Sequence, residues 1–170
     1  MSPSKQQAGR KKIAKDEVVN GNGPLSLKNI EKYLKFSKTY MGAVFVKSFN
    51  KLLLKTKEYS LVVYCNFHWF CIFCTKHTFE IFDPLGFLQK AKCLNAKFFL
   101  FLKTHLKGKL FYCNPQIQSN TSYQCGLYVA FFIRMRELGN SFHEILRKFS
   151  KDFRKNDQLV KQYMKKISLV

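Results

Sequence analysis

A polar run that passes directly into an apolar helical pattern is the feature that most constrains this chain. Residues 118–124 read Gln-Ser-Asn-Thr-Ser-Tyr-Gln and lead into Cys125-Gly126. This spacing predicts a helix that begins at Cys125. A thiol at a helix N-terminus is stabilised as the thiolate by free amide groups and the helix dipole, so Cys125 is a candidate nucleophile. The apolar residues with helical spacing are Leu127, Ala130, Phe131, Met135 and Leu138.

The simpler interpretation of Cys125 is a small buried side chain, because free cysteine is among the most buried residue types. Two other residues favour chemistry instead. A thiolate nucleophile needs an imidazole that exchanges protons and a third group that orients the ring. His68 begins one apolar run, and Asp83 follows the next. Together they predict a Cys125, His68 and Asp83 triad.

The order of these residues resembles a known family. His68-Trp69, then Asp83-Pro84-Leu85-Gly86-Phe87, then Gln118 seven positions before Cys125-Gly126, resembles the adenain-like cysteine proteases, which are the adenovirus maturation proteases. SUMO-deconjugating proteases share the order His, acid, Gln, Cys. The Pro-x-Gly-Phe after the acid and the spacing of seven favour the adenain side. The resemblance is strong over Asn66 to Arg136 and faint outside it.

The resemblance implies an endopeptidase that cleaves capsid precursor proteins during virion maturation, in the virion and the host nucleus. The Gln118 amide and the backbone N–H of Cys125 would stabilise the oxyanion. DNA, and a capsid-derived peptide, would act as activators, although no cofactor is needed for the chemistry. Asp83 stands where adenoviral members have Glu. Adenoviral members also bind the activating peptide through a disulfide, but this chain has no cysteine at the corresponding place near Lys107. A SUMO or ubiquitin-like deconjugase, and a DNA-packaging protein on a decayed protease fold, remain alternatives.

The charge of the chain favours polyanionic partners. The net charge is +20, and the first 24 residues hold five Lys or Arg against Asp16 and Glu17, which leaves +17 for residues 25–170. A field of this sign attracts nucleic acid through phosphate contacts and counterion release, although surface lysines also simply solubilise a protein. We expect non-specific DNA binding by the basic residues of the last two helices, which are Arg147, Lys148, Lys151, Arg154 and Lys155.

Composition sets the domain organisation. Residues 1–24 carry no periodicity and are predicted to be a flexible basic arm, whereas residues 25–170 form one protease domain. A hydrophobic content of 46% suffices for a core. Six unevenly spaced cysteines predict a reducing compartment rather than secretion. The apolar runs of the chain, among them Phe98 to Leu102, are too short to span a membrane. We expect a monomer.

The local patterns predict an α+β fold, with a small mixed sheet flanked by helices and the nucleophile at the start of a central helix, as in papain-like and adenain-like enzymes. Gly139 should end the Cys125 helix. The predicted strands are Ser60 to Tyr64, His68 to Thr75, Thr78 to Phe82 and Lys109 to Cys113. The other predicted helices are one capped by Ser26, Leu88 to Leu106, one with a Ser141–Glu144 capping box, and Gln158 to Ile167 capped by Asn156 or Asp157.

A metal site is the competing interpretation of one segment. Zinc ligands would be supplied by side chains that recur every third residue, namely Cys65, His68, Cys71, Cys74 and His77. Successive residues of a strand point to opposite faces, so a spacing of three sends neighbouring ligands to opposite sides. We therefore predict no metal site.

Overall fold

The computed structural model describes residues 25–45, 58–86, 98, 100, 104 and 108–167. The predicted arm at residues 1–24 lies outside them, as does most of the predicted helix Leu88 to Leu106, of which Phe98, Leu100 and Thr104 are helical. The helices are α1 (Leu27–Leu34), α2 (Cys125–Glu137), α3 (Phe142–Arg147) and α4 (Phe153–Ile167). The strands are β1 (Tyr40–Phe45), β2 (Tyr59–Cys65), β3 (His68–Cys74), β4 (Thr78–Phe82) and β5 (Lys109–Tyr112).

The five strands form one mixed sheet in the order β1-β2-β3-β4-β5. The pairs β2–β3 and β3–β4 are antiparallel, whereas the outer pairs β1–β2 and β4–β5 are parallel. The central strand β3 is buried on both faces. Phe73 packs edge-on against Phe132 of α2, and Phe70 packs edge-on against Phe98. The predicted α+β class with a mixed sheet and flanking helices is confirmed.

The turns of the sheet bring His68 and Asp83 to the same edge. A two-residue turn, Asn66-Phe67, joins β2 to β3, and Cys65 pairs with His68 directly behind it. In the next antiparallel pair, Cys71 lies opposite Phe82. Asp83 follows Phe82 immediately, so the start of β3 and the end of β4 meet at one edge.

The helix α2 is the centre of the core, and its residues 125–133 are all buried. The Phe132 ring stacks on Phe82 at a centroid distance of 4.4 Å. Gly126 allows α1 to cover the start of α2, because a Cβ at this position would lie 2.9 Å from Ile30 Cδ1 and 3.0 Å from Leu25 Cβ. Gly139, with φ of 86°, follows the last turn as predicted.

The start of one helix was predicted wrongly, and one strand was not predicted. The helix α4 begins at Phe153 rather than Gln158. The carboxylate of Asp152 accepts the N–H groups of Arg154 and Lys155 at 2.9 and 3.3 Å, so Asp152 caps the helix and Asn156 and Asp157 lie inside it. The strand β1 was not predicted. The other caps are confirmed, since Ser26 accepts the Asn29 N–H and Ser141 forms a capping box with Glu144.

Candidate active site

A short contact joins His68 to Asp83. His68 Nε2 lies 2.7 Å from Asp83 Oδ1, and both residues are buried. The same carboxylate oxygen accepts the N–H of Leu85 at 2.9 Å. Two donors on one oxygen hold the carboxylate in place, and the carboxylate in turn fixes the plane of the imidazole.

The thiol of Cys125 also acts on the imidazole, because the interaction between the two side chains helps to raise the pKa of His68. Since Asp83 contacts Nε2, Nδ1 is the ring nitrogen left for the thiol. Burial works to lower the pKa of His68, but the hydrogen bonds and charges of Asp83 and Cys125 outweigh it and raise the pKa from 6.5 to about 9. An imidazolium is therefore favoured between the carboxylate and the sulfur.

Gln118 is a buried residue of the loop that precedes α2. Its backbone N–H donates to Pro84 O at 3.0 Å, directly behind Asp83. Its side-chain Nε2 donates to Ser122 O at 2.6 Å, three residues before Cys125. The Oε1 atom is buried and has no hydrogen-bond partner in the part of the chain that the structure describes. The amide carries two N–H groups, so one remains for a ligand.

The start of α4 holds the Gln118 loop, a role that the sequence analysis missed. Asn156 Nδ2 donates to Ile117 O at 2.8 Å. The two oxygens of Asp157 accept the hydroxyls of Ser122 and Tyr128 at 2.9 and 2.8 Å. Since Tyr128 belongs to α2, Asp157 ties the loop to the nucleophile helix. The sequence pattern that could have predicted this role is the polar residue Asn156, which has helical spacing with the buried residues Val160 and Met164.

Two of the other described cysteines, Cys71 and Cys113, are ill suited to nucleophilic chemistry. All five described cysteines, at positions 65, 71, 74, 113 and 125, are free thiols. Burial raises the pKa of Cys71 well above its ordinary value. Burial, reinforced by the charge of Asp83, raises the pKa of Cys113 to about 12. Among the described residues, no group of three His, Cys, Asp or Glu side chains is arranged to hold a metal ion.

The predicted DNA-binding residues lie on the surface at the junction of α3 and α4. All five are exposed, and they run from the end of α3 through the connecting turn into the first turn of α4. These basic residues are Arg147, Lys148, Lys151, Arg154 and Lys155.

No described helix is long and apolar enough to cross a membrane.

Solved structures share this architecture. The central domain of the uncharacterized Lpg1148 protein from Legionella pneumophila aligns with a TM-score of 0.56 and 13% identity, over 86% of this chain and 96% of that one. The ASFV pS273R protease aligns with a TM-score of 0.51 and 19% identity, over 74% of this chain and 62% of that one. A de-sumoylating protease aligns with a TM-score of 0.42 and 18% identity, over 82% of this chain and 76% of that one. No protein-family model and no curated protein matches the chain.

Proposed function

We propose that this chain is a cysteine endopeptidase with Cys125 as the nucleophile. One observation carries the proposal: a buried imidazole contacts a carboxylate at Nε2, and its pKa is raised both by that carboxylate and by the thiol that begins the central helix. The fold shared with the ASFV pS273R protease supports it. A cluster that serves only the stability of the fold does not require a thiol at a helix N-terminus beside its imidazole.

The proposed reaction uses each of these groups in turn. The Cys125 thiolate attacks the peptide carbonyl carbon, which forms a C–S bond and places negative charge on the carbonyl oxygen. The free N–H of Gln118 and the backbone N–H of Cys125 would donate to that oxygen, since the first residue of a helix has no intrahelical acceptor for its N–H. His68 gives its proton to the leaving amine. It then activates the water that hydrolyses the thioester, and Asp83 keeps the ring in place throughout.

The direct test is Cys125→Ser together with thiol labelling. We expect the variant to lose peptide cleavage while its unfolding temperature stays within about 2 °C of the parent, which corresponds to less than about 1 kcal/mol. Iodoacetamide at neutral pH should label Cys125 ahead of Cys71 and Cys113, whose pKa values are raised. Cleavage that survives the serine substitution would refute the proposal.

The proposed substrates are capsid and core precursor proteins of a virus or virus-like element, cleaved on packaged DNA in the virion and host nucleus. The resemblance to adenain-like proteases and the +17 of residues 25–170 support this. DNA binding should be independent of sequence, with log K falling by about 0.9 per phosphate contact for each unit of log salt. Duplex DNA should raise the rate at which capsid-derived peptides are cleaved.

Substitutions that remove positive charge test where DNA binds. Replacing the five exposed basic residues of the α3–α4 junction by glutamine should weaken DNA binding and make log K depend less steeply on log salt, while cleavage without DNA stays unchanged. Four exposed lysines near α1 provide the matched control: Lys28, Lys32, Lys35 and Lys38. An equal loss in both variants would make the effect one of total charge, and no effect of DNA on the rate would refute activation.

A deconjugase on the same fold is separated by its substrate. Such an enzyme cleaves after the C-terminal Gly-Gly of a ubiquitin-like modifier and needs no nucleic acid. We therefore expect SUMO and ubiquitin fluorogenic conjugates to be cleaved much more slowly than capsid-derived peptides in the presence of DNA. Faster cleavage of the conjugates, with no response to DNA, would favour the deconjugase.

A further inference from the structure

The turn before His68 holds an aromatic residue in a conformation that does not suit it. Asn66 and Phe67 have φ values of 47° and 60°, so both lie in the left-handed region. A two-residue hairpin turn of type I′ requires this at both positions, which favours Asn followed by Gly. Asn tolerates the left-handed region, whereas a bulky side chain there is strained. Local folding therefore favours Gly at position 67, and the chain has Phe.

Burial in the fold does not compensate for this strain. Phe67 is 72% exposed, so most of its ring contributes nothing to the hydrophobic core. Strained residues that the fold does not need are found disproportionately at functional sites. Phe67 directly precedes His68 in the chain, so its backbone adjoins the residue that carries the imidazole of the proposed active site.

A second exposed aromatic residue, Tyr123, is 55% exposed and precedes Cys125 by two residues. Hydrogen bonds connect its segment to that of His68. His68 contacts Asp83, and the N–H of Gln118 donates to the O atom of Pro84, the next residue. The Nε2 of Gln118 in turn donates to Ser122 O, next to Tyr123. The two exposed aromatics therefore belong to the two chain segments that meet at the reacting groups, one from the sheet edge and one from the loop before α2.

We propose that Phe67 and Tyr123 form an aromatic rim at the proposed active site, which binds an apolar side chain of the peptide substrate close to the scissile bond. This rests on the proposed endopeptidase function and adds a substrate preference to it. An apolar substrate side chain placed on the rim removes exposed aromatic surface from water, which is the favourable change that neither residue obtains in the free protein. Polar or charged side chains at that substrate position would gain nothing.

The substitution Phe67→Gly tests the rim because stability and activity should move in opposite directions. We expect the unfolding temperature to be unchanged or to rise by about 2–4 °C, since glycine relieves the left-handed strain. Cleavage of a random-sequence peptide library, read by mass spectrometry, should show kcat/KM for peptides with an apolar residue near the cut falling about tenfold, mostly through KM. Cleavage of peptides without such a residue should change by less than twofold.

Two further variants complete the design. Phe67→Leu keeps an apolar side chain and should restore most of the preference. Phe36→Ala removes an equally exposed ring, 71% exposed, at the far end of α2, where Phe36 O accepts a hydrogen bond from Arg134. It should leave the library profile unchanged.

The outcomes separate this inference from the function on which it rests. If Cys125→Ser abolishes cleavage but Phe67→Gly leaves the preference within twofold of the parent, the rim is refuted and the endopeptidase stands. An unfolding temperature lowered by Phe67→Gly would also refute the rim, because the ring would then serve the fold. A protein that cleaves no peptide in the library refutes the function, and the rim falls with it.

Discussion

The two ends of α2 hold carboxylates in opposite ways. At the C-terminal end, Glu137 accepts the Ser37 hydroxyl at 2.6 Å and the Thr39 N–H at 2.9 Å, and it pairs with Arg134 at 2.8 Å. Burial alone would raise the pKa of Glu137, but the hydrogen bonds from Ser37 and Thr39 outweigh it and lower the pKa. At the N-terminal end, Asp83 has no Lys or Arg among its described contacts and faces an imidazole.

The difference lies in what each charge is free to do. The Glu137 carboxylate is bonded to a permanent cation and to fixed hydroxyls, so it serves only to attach α2 to the start of β1. Next to Cys125, the Asp83 carboxylate holds an imidazole whose second nitrogen remains available to the thiol. At the Glu137 end, the hydrogen bonds and the ion pair stabilise the fold. At the Asp83 end, the hydrogen bonds leave a path along which a proton can move.

The largest expected effect comes from replacing the carboxylate by an amide at each end. Asp83→Asn should lower kcat by about a thousandfold, because an amide neither supports the imidazolium nor fixes the ring tautomer. Glu137→Gln should leave kcat within twofold and lower the free energy of unfolding by about 1–2 kcal/mol. Steady-state kinetics and urea denaturation of both variants give the comparison. Equal losses of activity would show that the two ends are not functionally distinct.

The pH dependence of stability reports on the His68–Asp83 pair at the N-terminal end of α2. The pKa of His68 is raised from 6.5 to about 9, so the folded state favours the protonated ring. The contribution is complete below pH 6.5 and is lost as the pH rises towards 9. We expect the free energy of unfolding to fall by up to about 3 kcal/mol across this window. The His68→Gln variant should lack the decline, and an unchanged slope in that variant would contradict the assignment.

Gln118→Ala should lower kcat by about a hundredfold with little change in KM, because the hydrogen bond matters mainly once the oxyanion has formed. The control is Gln116→Ala, since the side chain of Gln116 donates to the backbone carbonyl of Gln118 at 2.7 Å and to Asn120 Oδ1 at 3.3 Å. That variant should lose less than tenfold. A rise in KM with kcat unchanged would make Gln118 a substrate-binding residue.

The smallest expected effect concerns the attachment of the Gln118 loop to α4. Asp157→Ala removes the acceptor for Ser122 and Tyr128 and should lower kcat about tenfold with KM unchanged. Asp157→Asn, which keeps one acceptor oxygen, should recover part of the loss. Asp152→Ala at the cap of the same helix should cost about 1 kcal/mol of stability and leave kcat within twofold. Equal kcat in the two alanine variants would reduce Asp157 to a structural role.

Much of the fold was predictable because its signals are local. The caps Ser26 and Ser141 and the stop at Gly139 act within one helical turn, and the turn at Asn66 acts between neighbouring strands. Two features were not predictable in this way. The strand β1 pairs in parallel with β2, so its place depends on partners outside its own segment, such as Ser60 opposite Tyr40. Asp157 is a residue type that often caps helices, but Asp152 caps α4, so Asp157 lies inside the helix and contacts the Gln118 loop.

The sequence by itself determined that a thiol begins a buried helix, and it supplied an imidazole, a carboxylate and an amide in a recognisable order. Tertiary structure decided how they meet. The register of β3 and β4 sets the 2.7 Å contact between His68 and Asp83, and the packing of α1 on Gly126 places the start of α2. Spacing along the chain carries local preferences, whereas a distance across the sheet exists only once non-local strands and helices have packed.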